Sequence, residues 1–570
     1  MRYFTLACDY DGTLAHDGRV SPETVEALER LRRSGRTLIL VTGRELDDLQ
    51  QIFPRLDLFE RVVAENGALL YRPATREEKV LGEEPPVEFV EALRARGVGP
   101  ISVGRAIVAT WHPHEKTVLE VIRDHGLELQ VVFNKGAVMV LPSGVNKASG
   151  LSAALAELGL SPHNAVGVGD AENDHAFLKL CECAVAVANA LPSLQEQADW
   201  VTRGDHGVGV VELIDRMLAT DLAELGGRLS RYHIPLGESV DGSEVSLRPY
   251  GVNALLAGSS QGGKTTLATG IIERLIERGY QTCIIDPEGD YAMLEDVVVL
   301  GDSNHPPNPD EMVELLADPS RNLVINLLGL ALEHRPDFFV LLLPRLQELR
   351  ARTGHPHWIV VDEAHHLLPV AWEPAPLTIP QGTYGMMLIT MQPEHVSPAL
   401  LEIVDTVIAI GEAPETTIGS FCRAVRETGP ACEVVALETG EGLLWSRREG
   451  GPPVWFRSLP PRAERRRHRR KYAEGEISAE RSFFFRGPED KLNLRAQNLV
   501  TFLQLSDGVD DETWLHHLRR GDYSYWFREV IGDEELSEEA AEIERARALS
   551  PAESRARIRA AVEERYTSPP

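Results

Sequence analysis

The chain has 570 residues, 43% of them apolar and 25% charged, so it can bury several cores and has the make-up of folded domains, not of a disordered or fibrous polymer. Its 58 basic residues against 87 acidic give a formal charge of -29, which excludes a surface built throughout for nucleic acid and leaves room only for a local basic patch. No apolar run is long enough for a membrane helix, and six cysteines with no signal-peptide pattern ahead of the first strand predict a reducing, cytoplasmic setting.

From the N-terminus, residues 3–8 read as a short buried strand that delivers Asp9 and Asp11 at its carboxyl end, the edge where open α/β sheets place ligands. Ser21, Pro22 and Glu23 supply an N-cap, a first-turn proline and a first-turn acid for a helix with Val25, Leu28 and Leu31 on one face, which Gly35 stops. A second strand over 38–41 runs into Thr42-Gly43-Arg44, which makes a parallel strand-helix-strand unit. Two carboxylates two residues apart beyond a strand can divide labour. The first attacks phosphorus, and the second protonates the leaving oxygen and later activates water. Thr42 offers a hydroxyl to a phosphoryl group, Lys147 an ammonium, and Asp170 with Asp174 an oxygen seat for Mg²⁺.

Four motifs carry these residues in order: Asp9-Tyr10-Asp11-Gly12-Thr13, Val41-Thr42-Gly43-Arg44, Asn146-Lys147 and Gly169-Asp170-Ala171-Glu172-Asn173-Asp174. They resemble those of the haloacid dehalogenase superfamily of phosphatases. The resemblance implies a Rossmann-like core, an aspartyl-phosphate on Asp9, acid/base work by Asp11, phosphate contacts from Thr42 and Lys147, and Mg²⁺ held by Asp9, Asp170, Asp174 and the Asp11 carbonyl. Between Thr42 and Lys147 an insertion over about 72–144 has helix-like stretches at 87–93 and 116–122 and strand-like stretches at 101–110 and 129–141. It resembles the α/β cap of the Cof-type branch, which implies a lid that excludes water and favours a small phosphomonoester over a polymer end. His112, Asn134 and Lys135 are cap candidates for substrate contact, and a solvated turn explains them equally well. A strand over 184–188 and a helix ending near 218 close a first domain, 1–222.

A second α/β domain is expected over 230–460. Residues 253–257 form an apolar strand entering Gly258-Ser259-Ser260-Gln261-Gly262-Gly263-Lys264-Thr265-Thr266, followed by a helix with Leu267, Ile271 and Leu275 on one face and Gly279 as its stop. Strand, GxxxxGKT and helix read as a P-loop for ATP, and the nucleotide set is Gly258, Ser259, Gln261, Gly262, Gly263, Lys264, Thr265 and Thr266. Backbone N–H groups approach the phosphates, Lys264 adds charge, and Thr265 can ligate Mg²⁺. The strand 358–361 ends in Asp362, suited to the magnesium shell, and Glu363, suited to polarise water; the strand 387–390 delivers Gln392 towards the γ-phosphate.

Together with Asp286-Pro287-Glu288-Gly289-Asp290-Tyr291 and Met391-Gln392-Pro393, these residues resemble the HerA/FtsK superfamily of P-loop ATPases over roughly 235–457. The resemblance implies a RecA-like fold, Glu363 as catalytic carboxylate, Gln392 as sensor, and a homo-oligomer, a hexameric ring in that family, completed by an arginine from a neighbouring subunit and acting on nucleic acid. Arg345 and Arg423 are candidates for that arginine, not distinguished from surface residues. The domain is short and no barrel of the family's kind precedes it, which favours oligomerisation over DNA translocation.

Seven basic residues over 462–471 mark a linker, 461–480, that could meet nucleic-acid phosphates or an acidic face of the same protein. Residues 481–570 read as a small α-rich domain, in which His517, Arg519, Arg520, Asp522, Tyr523 and Trp526 form either a binding face or a packing corner. The sequence therefore predicts a bifunctional enzyme, a Mg²⁺-dependent phosphatase of a small phosphorylated substrate joined to an ATPase that oligomerises. The alternative is a ring ATPase on nucleic acid whose phosphatase trims the ends. A kinase partner is disfavoured by Glu363, which would hydrolyse ATP. A regulatory P-loop remains open.

Overall fold

A computed structural model of the chain describes residues 1–134, 136–226, 229, 232–259, 263–370, 384–432, 437–462, 482–531, 533–546 and 549–566. It separates into two compact units, Met1–Leu459 and Pro460–Pro570. Among the described residues no helix is long and apolar enough to cross a membrane.

The first unit holds two α/β bodies. The sheet of the first runs Trp200–Val201, Cys183–Ala186, Ala165–Gly169, Thr5–Asp9, Thr37–Val41, Arg61–Ala64, Leu69–Arg72, Glu77–Val80. All but the last two strands are parallel, and the central ones are apolar on both faces because helices cover them. The first helix, Pro22–Arg33, starts as its sequence dictates: the Ser21 hydroxyl accepts the Thr24 N–H at 3.2 Å and Pro22 opens the first turn.

The cap is a separate antiparallel sheet in the order Ser102–Val103, Val108–Trp111, Ala137–Pro142, Leu129–Asn134, backed by helices Val87–Ala95 and Glu115–Asp124. It begins later than residue 72. Arg76 turns the chain at φ 59, and Glu77–Val80 then pairs with Leu69–Arg72 on the core sheet, where its exposed charges suit an edge strand. The single strand-like stretch 101–110 is two short strands around a turn at Gly104.

The second body has an eleven-stranded sheet. Seven parallel strands run Thr406–Ile410, Ala254–Gly258, Met386–Thr390, Trp358–Val361, Thr282–Asp286, Asn322–Asn326, Val297–Leu300. Four antiparallel strands, Glu441–Ser446, Val454–Ser458, Ile234–Glu238 and Glu244–Leu247, extend it beyond Thr406–Ile410. The glycine-loop strand thus lies one strand away from the strand that ends at Asp362.

The two bodies meet through a buried polar seam. Glu182, 1% exposed, accepts from Arg2 at 2.6 Å and from the Tyr280 hydroxyl at 3.1 Å, and lies 2.7 Å from His163 Nδ1. His163 stacks on Tyr280 at 3.8 Å and reaches the Arg278 carbonyl at 2.7 Å. His357 accepts the Gln281 N–H at Nδ1 (2.8 Å) and faces Asn164 Oδ1 with Nε2 (3.2 Å), while His355 lies 3.0 Å from the Gly159 carbonyl. Burial and the neighbouring imidazoles hold His357 well below its ordinary pKa. Arg2, Asn164 and Glu182 all sit just before strands of the first sheet; Tyr280, Gln281 and His357 sit just before strands of the second. The sheets are therefore joined at their amino-terminal edges, and their carboxyl ends face away from each other.

The second unit has a hairpin, Phe483–Phe485 with Leu494–Ala496, and helices Leu499–Gly508, Asp511–Arg520, Asp522–Trp526, Glu534–Arg545 and Pro551–Tyr566 around an aromatic core that includes Phe502, Trp514, Tyr523 and Trp526. His517 is 5% exposed, accepts the Arg486 N–H at 3.0 Å and faces Asp522 at 2.7 Å, which makes the His517 cluster a packing corner. The basic run beyond Arg462 lies outside the described residues.

Removing one member of a buried charge pair strands the other, so Glu182→Ala should cost about 3–5 kcal/mol in urea unfolding at pH 7. Burial raises the Glu182 carboxyl, but His163 and Arg2 outweigh it and hold it below the ordinary glutamate value. Its contribution is then complete above that ordinary value and is lost as pH falls through the lower folded value, so the gap between wild type and variant should shrink below about pH 4. An equal gap at both pH values would contradict the seam as described.

Candidate active site

Asp9 ends the central strand of the first sheet, and Asp170 and Asp174 follow the neighbouring strand Ala165–Gly169, so three carboxylates converge at one carboxyl edge. All three are buried, and one ligand atom from each lies within 4.8 Å of the others. Lys147 reaches them because Asn146 caps a helix, accepting the Ala148 and Ser149 N–H groups at 2.9 and 3.1 Å, which puts the lysine at the first helical position. Its ammonium donates to Asp9 Oδ1 and Asp174 Oδ1 at 2.6 Å each. Asp174 Oδ2 accepts the N–H groups of Asp170 and Ala171, both at 2.9 Å, and Thr13 donates to Asp170 at 3.2 Å.

One ammonium facing three carboxylates leaves the group short of positive charge. Burial, and next Asp174, push Asp9 up to about 8. Burial would lower Lys147, but Asp174 and Asp9 outweigh it and hold the ammonium above its ordinary value. Hard oxygen donors and this charge deficit fit Mg²⁺. Asp9, Asp170 and Asp174 would hold the ion.

The Asp11 side chain stands outside this trio. Arg44 grips it with Nε and Nη2 at 2.6 and 2.7 Å, a role the sequence hinted at only by placing Arg44 in the Thr42 motif. Thr42 is fully buried, and its hydroxyl oxygen accepts the Arg44 N–H at 3.2 Å. A cleft of about 520 Å³ opens above, lined by Asp9, Asp11, Arg44 and Lys147 below and by Ile107, Trp111, Asn134 and Met139 of the cap. Asn134 Oδ1 is buried there without a hydrogen-bond partner. His112 is turned to Glu115 at 2.8 Å and does not line the cleft; Lys135 lies outside the described residues.

At the opposite end of the unit, Gly258 ends its strand and Gly263, at φ 81, starts the helix at Lys264, with Thr265 and Thr266 half-buried in the first turn. Ser260, Gln261 and Gly262 lie outside the described residues. Lys264 is 6% exposed and donates to the Ser259 carbonyl at 3.0 Å. Burial lowers its ammonium, and Glu363 and Asp362 pull the other way. Asp362 accepts the Glu363 N–H at 2.9 Å and is pushed up to about 7, chiefly by burial. Glu363 takes a left-handed backbone, φ 41, and faces His365 Nδ1 at 3.3 Å, which in turn lies 3.2 Å from the Thr390 hydroxyl. His365 was not singled out in the sequence, although it is two residues past Glu363. Gln392 is exposed, and its N–H reaches Thr390 Oγ1 at 3.3 Å. Asp286 shapes its own loop by accepting the N–H groups of Glu288, Gly289, Asp290 and Tyr291 at 2.7–3.2 Å. Arg345 pairs with Asp310, and Arg423 donates to Ser420 at 2.7 Å.

Binding to the native state alone stabilises it by RT ln(1 + [L]/Kd), so Mg²⁺ at about tenfold its Kd should add ~1.4 kcal/mol and raise the Tm by a few degrees. Asp170→Asn should remove that shift in differential scanning fluorimetry. An undiminished shift would place the ion elsewhere.

Residues 6–95 and 124–214 match the family model described as haloacid dehalogenase-like hydrolase. The phosphoglycolate phosphatase of Methanothermobacter thermautotrophicus is 33% identical over 222 residues, covering 37% of this chain and 98% of the relative. Phosphoglycolate phosphatase 2 of Saccharolobus solfataricus is 31% identical over 221 residues, covering 38% of this chain and 92% of the relative. A solved haloacid dehalogenase-like hydrolase from Bacteroides thetaiotaomicron aligns at 20% identity and a TM-score of 0.34, over 38% of this chain and 99% of its own. Four motifs meeting at one strand edge and relatives matched over nearly their whole length lead to one conclusion: through residues 6–214 the chain belongs to the haloacid dehalogenase-like hydrolases.

Proposed function

We propose that the chain is a phosphatase of small phosphomonoesters, with Asp9 as nucleophile, fused to a P-loop body that binds and hydrolyses ATP. The observation that carries the first half is the buried trio Asp9, Asp170 and Asp174, bridged by Lys147 beneath a capped cleft. An Asp9 oxygen attacks phosphorus; Asp11, released from Arg44 and protonated, passes its proton to the leaving oxygen, and the resulting carboxylate then takes a proton from the water that cleaves the Asp9 acyl phosphate. Mg²⁺, when bound, neutralises phosphoryl charge and aligns the ester. In this reading Lys147 and Thr42 contact the phosphoryl oxygens, and Asn134, whose Oδ1 is buried without a partner beside the cleft, accepts a hydroxyl of the leaving group. The relatives' name makes phosphoglycolate the first ester to try.

The second half is supported by the placement of Lys264, Asp362 and Glu363 at the carboxyl edge of a parallel sheet whose loop strand and Asp362 strand flank the strand leading to Gln392. In this reading Lys264 and Thr265 hold the ATP phosphates and Mg²⁺, Asp362 completes the ion's shell, and Glu363 activates water. Homo-oligomerisation, as a ring, fits the edge strand Val297–Leu300, whose Val298 and Val299 are exposed. A nucleic-acid end as phosphatase substrate is disfavoured by the cap, because a polymer would have to pass between cap and core to reach Asp9. A cytoplasmic setting belongs to the same reading.

Asp9→Asn should lower ester hydrolysis by roughly 10³-fold or more while ATP turnover stays within about twofold, and Lys264→Ala should do the reverse. Loss of both activities in either correctly folded variant would refute two independent sites.

A further inference from the structure

The strand Arg61–Ala64 delivers a turn, Glu65-Asn66-Gly67, whose residues all have left-handed backbones, at φ 50, 55 and 106. Glu65 is a core residue, 1% exposed, yet its carboxylate points into the cap. It accepts three successive backbone N–H groups of the cap turn: Arg105 at 2.9 Å, Ala106 at 2.9 Å and Ile107 at 3.2 Å. The fit leaves no slack, because a Cβ on Gly104 would lie 2.6 Å from that carboxylate.

The same turn is tied to the catalytic loops. The Glu65 N–H donates to the Arg44 carbonyl at 2.9 Å and the Asn66 N–H to the Thr42 carbonyl at 3.0 Å. Asn173, one residue before Asp174, donates to Asn66 Oδ1 at 2.9 Å, and a Cβ on Gly67 would lie 1.9 Å from the carbonyl of Asn146, the residue before Lys147. On the cap side, Ile107 is both a partner of Glu65 and part of the cleft wall. The geometry points to Glu65 as a positioning residue: it latches the cap in register with the catalytic loops and thereby sets how the leaving group is held. The role in catalysis rests on the phosphatase reading; the latch itself does not.

Bonds to a carboxylate are stronger than neutral ones, and three converge here, whereas the nearby Arg105 pairs with Asp47 and Glu78 are exposed and contribute little. Without Glu65 the cap stays tethered by its two covalent connections, by Ser102 on Glu45 and by the apolar cluster of Ala68 with Ala106, Ile107 and Met139, but the turn 104–107 loses its charged anchor. Two full-length variants attack the contact from opposite sides: Glu65→Ala removes the acceptor, and Gly104→Ala drives a methyl group into it. Both should speed amide hydrogen exchange at Arg105, Ala106 and Ile107 by roughly tenfold or more, with exchange in the core strands Thr5–Asp9 and Thr37–Val41 unchanged. With phosphoglycolate, and with p-nitrophenyl phosphate as a second probe, KM should rise by about 10–100-fold while kcat changes by less than about threefold. Glu65→Gln, which keeps one acceptor oxygen, should fall between wild type and Glu65→Ala on both readouts.

Unchanged exchange at the three amides in both alanine variants would overturn the latch. Faster exchange throughout the core would also overturn it, since Glu65 would then hold the core and not the cap. Faster cap exchange with unaltered KM would overturn its part in seating the ester. If wild type turned over neither these two esters nor any other small phosphomonoester, the phosphatase reading would fail, and the exchange rates would still decide the latch.

Discussion

Glu182, buried between Arg2, His163 and Tyr280, joins the amino-terminal edges of two sheets, and the direction in which each cluster of lysine and carboxylates faces follows from that join. Parallel sheets present ligand sites at their carboxyl edges. Uniting them at the other edge sends Asp9 and Lys264 to opposite ends of the unit. The seam is polar because strand beginnings expose unpaired backbone and capping groups, which only hydrogen-bonding side chains can satisfy once water is excluded. His163, His355 and His357 meet that need from both bodies, bonding carbonyl or side-chain partners across the join.

Each site also solves a common electrostatic problem in its own way. Both bury a lysine beside carboxylates just past a strand. In the first, Lys147 is bracketed by two aspartates and held charged, while the trio around it still lacks positive charge. In the second, Lys264 rests on a backbone carbonyl with its carboxylates farther off, and Asp362 is raised by burial. A phosphate bound to the first site must share a cation with fixed anions, whereas the ammonium of the second donates to a neutral backbone carbonyl, that of Ser259. The cap adds a third element, and one of its turns is held by a buried core carboxylate, Glu65.

Much of this was legible in the sequence because short motifs fix both residue type and strand position. The strand Trp358–Val361 lies where an apolar run ending in two acids requires it, and Ser21-Pro22 marks the first helix start. The cap boundary was misplaced because Glu77–Val80 is charged and exposed, so its pairing leaves no apolar alternation to read. The strands Ile234–Glu238 and Glu244–Leu247 went unassigned because both are short and the first contains Pro235 and Gly237. Arg44 and Glu65 act through a partner distant in sequence and through backbone groups, and the spacing of residues does not show such contacts. The seam is the extreme case: Glu182 pairs with Arg2 and Tyr280, 180 and 98 residues away.

The opposed placement of the two sites can be measured by pulsed electron paramagnetic resonance between nitroxides at Gln50→Cys, on the helix Leu46–Ile52 that follows the Thr42 motif, and Glu288→Cys, in the loop after the strand Thr282–Asp286, with Cys432 replaced by Ser because the other cysteines are buried. Each central strand has five residues, so two strands end to end at about 3.3 Å per residue, with the seam between them, place the labels roughly 30–45 Å apart. A narrow distribution in that range is the expected result. A main distance below about 20 Å would mean that the carboxyl edges face each other, and would contradict the account.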